Sequence, residues 1–364
     1  MRIAQIAPLC ESVPPRLYGG TERVVSYLTE ELVRQGHDVT LFASGDSVTS
    51  ASLVPGCDVA LRLGDGACDI VPYHVTQIEQ VRAAARSFDV LHFHTDYLHF
   101  PLMRELDVPS VTTLHGRLDM SWVAPFYRAF PDQPLVSISD HQRLPMPAVN
   151  WAATIHHGLP PKLLPFCPSP PAMAEGGYLA FLGRISPEKR PDRAIEIAVR
   201  TGQRLKIAAK IDRVDEEYWT TMIKPMIDRS PLVEYVGEIN ETQKAAFLGG
   251  ATGLLFPIDW PEPFGLVMIE AMSCGTPVLA YACGSVPEIL ENGVTAFIVS
   301  SMDEACAAAP ALATLNRAAI RQQFDMRFSV ATMARNYVGL YESLRSQPLR
   351  RHKRTPREFE SVAA

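Results

Sequence analysis

Glu262 and Glu270 stand eight residues apart in the stretch WPEPFGLVMIEAMSCGTPVLAY, residues 260–281, with an apolar run between them. Leu266, Val267, Met268, Ile269, Ala271 and Met272 give a helix no polar stripe, so this segment is expected to be buried. A buried carboxylate is costly unless something hydrogen-bonds it. Glu270 therefore meets either an internal partner or a cleft filled by a ligand with hydroxyl groups. Two carboxylates suit glycoside hydrolysis only when they lie roughly 5 to 9.5 Å apart. Eight residues of continuous helix rise about 12 Å, so the pair is better placed to touch two parts of one elongated ligand.

Other residues supply chemistry for the anionic part of such a ligand. In LGRISPEKRPDRAIEIA, Arg184 and Lys189 flank a turn that leads into a helix. Two cations beside a helix N-terminus suit a diphosphate; pairing of Arg184 with a buried carboxylate is the alternative. In PPRLYGGTERVVSYLTEEL, Gly19 and Gly20 precede Thr21, a candidate cap for a helix whose apolar face is Val24, Val25, Leu28 and Leu32. Such a turn brings backbone amides close to an anion, although a plain turn would read the same way. No G-x-G-x-x-G follows, which removes support for a nicotinamide enzyme. In VLHFHTD the period of two puts His92 and His94 on one face, with Asp96 beyond. That is a sparse zinc signal, without a further ligand cluster. His115 ends a strand in TTLHGR and reads equally as a structural histidine. No two aspartates are separated by a single residue, so the D-x-D signature of metal-dependent nucleotide-sugar enzymes is missing.

The elements that must position these residues follow from the apolar pattern. Short apolar runs alternate with helix-length segments, as in parallel sheets covered by helices on both faces. Strands are expected at RIAQIAP, DVTLFAS, DVLHFHT, SVTTLHG, LVSISD and ATIHHG in the first half. In the second half they are YLAFLGR, LKIAAK, VEYVGEI, GLLFPI, PVLAYA and AFIVS. Between the halves PFCPSPPAMAEGG, residues 165–177, reads as a linker, with four prolines and two glycines. The expected division is residues 1–168, residues 169–327, a docking helix over 328–346 and a basic tail over 347–364. The docking helix sets Val330, Met333, Tyr337, Leu340, Tyr341 and Leu344 on one face. The tail carries almost no apolar residues and reads as disordered, with a weak attraction to anionic membrane surfaces.

At 364 residues and 47% hydrophobic content the chain can bury two cores. Its formal charge of −6, from 34 basic and 40 acidic residues, gives no reason to expect nucleic acid as a partner. Seven cysteines, an odd number without C-x-x-C spacing, fit neither a disulfide framework nor a zinc ribbon. No run of 18 apolar residues occurs, and the first residues already read as a strand, so the expected location is the cytoplasm.

Taken together, YGGTERVV, VSISD, FLGRISPEK, PEPFGLVMIEAMSCGTPV and GSVPEIL resemble the retaining glycosyltransferases of family 4, over nearly the whole chain. The N-terminal 47 residues look most like a bacterial subgroup that includes an avilamycin-pathway transferase. The resemblance implies a GT-B architecture: two Rossmann-like α/β domains facing across a cleft, with the last helix crossing back to the first domain. It implies a nucleotide diphosphate sugar donor, a UDP-sugar favoured over GDP-mannose, and a hydroxyl acceptor bound on the N-terminal side; the missing D-x-D, with Arg184 and Lys189 to balance the diphosphate, predicts activity without a metal. Glu262 and Glu270 fit the family's E-x7-E motif. By the resemblance, Glu262 contacts donor-sugar hydroxyls beside the amides of Phe264 and Gly265, followed by Leu266, and Glu270 takes the ribose hydroxyls. Arg184 and Lys189 neutralise the diphosphate, Gly20 lets the first helix approach it, and His115 sits near the sugar. The chain departs from the family in having Gly284-Ser285 for a Gly-Gly pair, TIHHG for a usual PNG, and Ala209 where Gly is common. A sugar-nucleotide epimerase or a non-catalytic sugar-nucleotide binder would use the same nucleotide site.

Overall fold

The computed structural model describes residues 1–16, 19–63, 69–170 and 176–346. They form two all-parallel sheets. The first has the order β3-β2-β1-β4-β5-β6-β7, from β1 Arg2–Ile6, β2 Asp38–Ser44, β3 Ser52–Cys57, β4 Val90–Phe93, β5 Ser110–Thr113, β6 Leu135–Ser137 and β7 Trp151–Thr154. The second has the order β10-β9-β8-β11-β12-β13, from β8 Leu179–Arg184, β9 Leu205–Lys210, β10 Val233–Gly237, β11 Gly253–Phe256, β12 Val278–Tyr281 and β13 Ala296–Val299. Each order reverses direction once, between β1 and β4 and between β8 and β11. Ligands of open parallel sheets bind beyond the strand ends at such switch points.

Strands apolar on successive residues arise because both faces are covered. In the first sheet Ala4, Ile6, Leu91 and Phe93 pack with Ile78 and Val81 on one face. On the other, Ile3, Val90 and Val111 meet Val24 and Leu28 of the first helix, Gly20–Arg34, and Met333, Tyr337 and Tyr341 of the crossover helix, Val330–Ser346. The crossover helix thus returns to the N-terminal domain as the resemblance implies, with Leu340 only partly buried on its edge. Gly158 permits the return: a Cβ there would lie 2.5 Å from the Ser329 carbonyl oxygen.

Three expectations need correction. Strand β3 is missing from the sequence reading because its SLVPGC contains proline and glycine; the edge position leaves the proline without a lost ladder bond. Thr21 does not cap the first helix. The helix starts at Gly20 with Gly19 as its N-cap and no side-chain cap bond. The proline-rich segment is pinned where it is described: Cys167 N donates to Cys274 O at 3.0 Å and Arg317 Nε donates to Cys167 O at 2.7 Å. Leu159 and Leu164, ahead of residue 169, already pack with Leu254 and Phe264 of the second domain. Residues 171–175 of that segment, Leu17 and Tyr18 of the glycine turn, and the tail 347–364 lie outside the described residues. The six described cysteines are free thiols. Among the described residues no helix is long and apolar enough to cross a membrane.

Candidate active site

Beyond β11 the chain passes through Pro257 to Gly265 before entering the helix Leu266–Cys274. Glu262 lies in this loop, not in the helix, so the 12 Å rise of a continuous helix does not separate the two glutamates. Gly265 takes φ 77°, and a Cβ there would press on Met268, Phe256 and Glu262. Only glycine turns the chain this tightly at no steric cost. The helix it opens has no side-chain N-cap, leaving its first amides for a ligand. Glu262 is buried and accepts from Lys189 Nζ, and also from Trp260 Nε1 at 3.0 Å. The ammonium of Lys189 lies 4.7 Å from the Trp260 ring centroid. Gly284 and Ser285 brace this loop. A Cβ on Gly284 would stand 2.3 Å from Glu262 N, and Ser285 donates from its amide to Glu262 O at 3.0 Å and from Oγ to Phe264 O at 2.9 Å. The serine that departs from the family pattern thereby fixes the carbonyl of Phe264.

Arg184, at the end of β8, faces three carboxylates: Glu188, Asp212 at 3.5 Å and Asp215 at 3.4 Å. Asp212 also holds Lys210 at 2.8 Å. Ala209, the third departure from the family pattern, is buried in β9 beside it. Glu270, 4% exposed, does have an internal partner: its Oε1 accepts from Lys244 Nζ at 2.7 Å. Lys244 approaches Glu241 at 3.5 Å, and Glu241 meets Arg23 of the first helix at 2.5 Å. The run Arg23, Glu241, Lys244, Glu270 therefore joins the two domains by alternating charge. The pairing of Glu270 with a lysine from NETQKAAFLGG has no signature in the sequence.

On the opposite wall Gly20 meets Leu266 across the cleft; a Cβ on Gly20 would touch Leu266 Cδ1 at 3.7 Å. The N-termini of the first helix and of the Glu270 helix thus converge. His115, just beyond β5, places its Nε2 2.9 Å from His94 Nδ1 and stacks on His157 with ring centroids 5.3 Å apart. His157 in turn lies 4.8 Å from the Phe264 ring. Burial holds His115 in its neutral form, with its pKa lowered to about 3, and pushes His92, His94 and His157 well below the ordinary range as well. All four ring nitrogens of His92 and His94 are hydrogen-bonded within the protein: His92 to Tyr341 and Thr113, His94 to Gln5 and His115. Among the described residues no cluster of three or more His, Cys, Asp or Glu is arranged to hold a metal ion.

The structure thus brings Lys189, Glu262, Phe264, Gly265 and Leu266 to one loop and helix end. Gly20 faces them across the cleft and His115 reaches them through His157. Arg184 stands at the adjoining strand end and Glu270 one turn into the helix. Sequence reasoning missed Trp260, Lys244, Glu241, Arg23, Gln5 and His157. Only His157, in TIHHG at the end of a strand, had a readable position.

Residues 18–156 match the model of the Glycosyltransferase Family 4, and residues 171–325 that of the Glycosyl transferases group 1. Glycogen synthase of Mycobacterium tuberculosis is 26% identical, over 90% of this chain and 92% of its own length. The phosphatidyl-myo-inositol mannosyltransferase of Mycobacterium leprae is 24% identical, over 94% and 97%. Among solved structures, AviGT4, a glycosyltransferase involved in avilamycin A biosynthesis, superposes with a TM-score of 0.73 at 23% identity, covering 96% of this chain and 99% of that one. Anabaena HepE in complex with UDP-glucose superposes with a TM-score of 0.71 at 17% identity, covering 94% and 100%. At these identities the solved structures establish the two-domain fold.

Proposed function

Because the chain belongs to the family 4, group 1 glycosyltransferases, we propose that it moves a hexosyl group from a nucleotide diphosphate sugar to a hydroxyl acceptor, with retention at the anomeric carbon. The observation that carries this reading is the convergence of Lys189, Glu262 and an uncapped helix N-terminus at the switch point of the second sheet. A UDP-sugar is the favoured donor, supported by the fold-related protein solved with UDP-glucose. GDP-mannose is second, since one relative is a mannosyltransferase. The setting proposed for the reaction is a bacterial cytoplasm.

In this reading the incoming diphosphate takes over cations that are paired with carboxylates in the structure. Lys189 turns from Glu262 to the phosphates and Arg184 from its three carboxylates. Glu262, released, accepts from hydroxyls of the sugar beside the amides of Phe264 and Gly265. Glu270, oriented by Lys244, accepts from the ribose. The leaving phosphate oxygen takes the acceptor proton on the same face of the ring, so no enzymic nucleophile is needed. The chain contributes positioning and charge stabilisation. Arg184 and Lys189 balance the diphosphate charge, so no metal is required; activity that is lost in chelator and restored by magnesium would count against this.

A panel of sugar nucleotides assayed for nucleotide release, followed by the anomeric configuration of the product, tests the proposal. Transfer with inversion would overturn retention. Release from donor alone, with an epimerised sugar as product, would favour the epimerase. Donor affinity without turnover on any acceptor would leave a binding protein.

A further inference from the structure

The chain leaves β6 through Ile138 and Ser139 and turns into the short helix Asp140–Arg143. Ser139 is fully buried, and its hydroxyl serves both domains. Oγ accepts from Gln142 N at 3.0 Å, capping the helix of its own domain, and donates to Pro263 O of the second domain at 2.6 Å. Neither role is ambiguous, because an amide nitrogen only donates and a carbonyl oxygen only accepts. The same turn is held a second time. The carboxylate of Glu288 accepts from Asp140 N at 2.8 Å and from His141 N at 3.2 Å, and His156 Nε2 donates to it at 2.6 Å. Glu288 belongs to the helix Val286–Ile289, which follows Ser285. Residues 139–141 of the first domain therefore rest on two segments of the second, the Glu262 loop and the turn that braces it.

The peptide joining Pro263 to Phe264 is trans, so its carbonyl and its N–H point in opposite directions. With the carbonyl fixed on Ser139, the Phe264 N–H is turned the other way. The next peptide is held likewise, by Ser285 Oγ on Phe264 O at 2.9 Å. Phe264 and Gly265 are buried, yet no carbonyl among the described residues accepts from either amide. Buried N–H groups without a partner are rare. Here two stand side by side, and the carbonyls of both their peptides are clamped by serines.

We propose that Ser139 is a positioning residue of the donor site: by holding the Pro263 carbonyl it turns the Phe264 amide toward the donor sugar, so that recognition of the sugar depends on the mutual placement of the two domains. What the amide meets rests on the transferase reading; the orientation of the peptide does not. Loss of the Ser139 hydroxyl would free the peptide to rotate and leave the carbonyl of buried Pro263 without this partner. An amide contact made equally in ground and transition states is expressed in KM and not in kcat.

The experiment uses the full chain labelled with 13C at the proline carbonyl and 15N at phenylalanine. Only a Pro-Phe pair then gives a one-bond carbonyl–amide correlation, and the sequence has three, at 125–126, 165–166 and 263–264. Pro125→Ala and Pro165→Ala identify the third by elimination. Ser139→Ala removes one buried hydroxyl; Glu288→Ala releases the same turn without touching Pro263 or the helix cap, and guards against a folding failure of the first variant. Both are expected to move the Pro263–Phe264 correlation. Both should raise KM about five- to tenfold for the sugar nucleotide that the donor panel selects, with kcat within about twofold, the loss of one oriented hydrogen bond. Affinity for the corresponding nucleoside diphosphate, which has no sugar, is expected to stay within about twofold on the same reasoning. An unmoved correlation in Ser139→Ala overturns the positioning, and an unmoved one in Glu288→Ala overturns its dependence on the domains. Equal losses of affinity for sugar nucleotide and nucleoside diphosphate overturn the assignment of the amide to the sugar. If the correlation moves in both variants but wild type turns over no sugar nucleotide, the transferase reading fails and the hold of Ser139 on the peptide stands.

Discussion

The two walls of the cleft satisfy buried polar atoms in opposite ways. Nine of the ten histidines precede residue 158, and between residues 158 and 351 there is none. The N-terminal wall is a relay of neutral imidazoles, hydroxyls and one carboxamide, locked by the crossover helix. The C-terminal wall is built of ion pairs: Lys189 with Glu262, Arg184 with three carboxylates, Lys244 with Glu270. Neutral groups fix the shape of a surface and its proton positions without demanding a counter-ion. Paired charges keep each other soluble in a partly buried cleft and can be given a new partner by an anionic ligand. In the proposed reading the first wall meets the acceptor, and the second offers cations to the diphosphate and carboxylates to the sugar and ribose hydroxyls.

The comparison breaks most readily with acid. The folded pKa values of His92, His94, His115 and His157 lie below the unfolded value near 6.5, so the unfolded chain binds more protons in that window. Stability from these groups is complete above about pH 6.5 and is lost as pH falls, by up to ~1.4 kcal/mol per pH unit for each histidine, until the folded pKa is reached. For His115 that limit is about 3. Hydrogen exchange at pH 7.5 and pH 5 is expected to show earlier loss of protection in the N-terminal half; equal loss in both halves would dissolve the contrast.

Next in size is Lys189→Ala, expected to lower turnover about a hundredfold by removing ~3 kcal/mol of leaving-group stabilisation. A lysine in a polar turn could be lost without harm to folding, but this one covers buried Glu262. A further loss of stability of ~1–3 kcal/mol is therefore expected, read by urea unfolding. Adding Glu262→Gln to that variant should restore stability and leave activity low. Calorimetry sharpens the division within the charged wall. Affinity for nucleoside diphosphate should fall about tenfold in Glu270→Gln, the weakening of a charge-assisted bond to ribose, and change little in Glu262→Gln, whose effect belongs to kcat. A larger loss for Glu262→Gln would exchange the two assignments. The smallest effect expected is that of Arg23→Gln, which removes the interdomain pair with partly exposed Glu241. A pair of this kind contributes about 1 kcal/mol or less, so a small increase in radius by solution scattering is the outcome to look for, and none at all would mean that the remaining contacts, including those of Glu288 with Asp140, His141 and His156, hold the domains without it.

Much of this was legible in the sequence. The twelve runs expected as strands, most of them apolar on successive residues, became strands; the thirteenth, β3, was hidden because an edge strand tolerates the Pro55 and Gly56 that otherwise mark a turn. The candidate residues at strand ends and at the Glu270 helix were readable because parallel sheets expose those positions. The boundary of that helix was not: Gly265 at φ 77° starts it after Glu262, and a glycine inside an apolar run carries no mark of its conformation.

Composition and periodicity by themselves determined two parallel α/β halves, a final helix in need of a surface, and a set of carboxylates, cations and histidines at ligand-facing ends. Local preferences act over a few residues, and they suffice for that. The partners were decided only by the tertiary structure. Lys189 reaches Glu262 across 73 positions, Glu270 reaches Lys244 on a neighbouring helix, and Gln5 reaches Tyr341 across 336. Such contacts depend on strand order and on where the crossover helix docks, and a buried charge or imidazole takes its behaviour from the atoms packed around it, not from its neighbours in the chain.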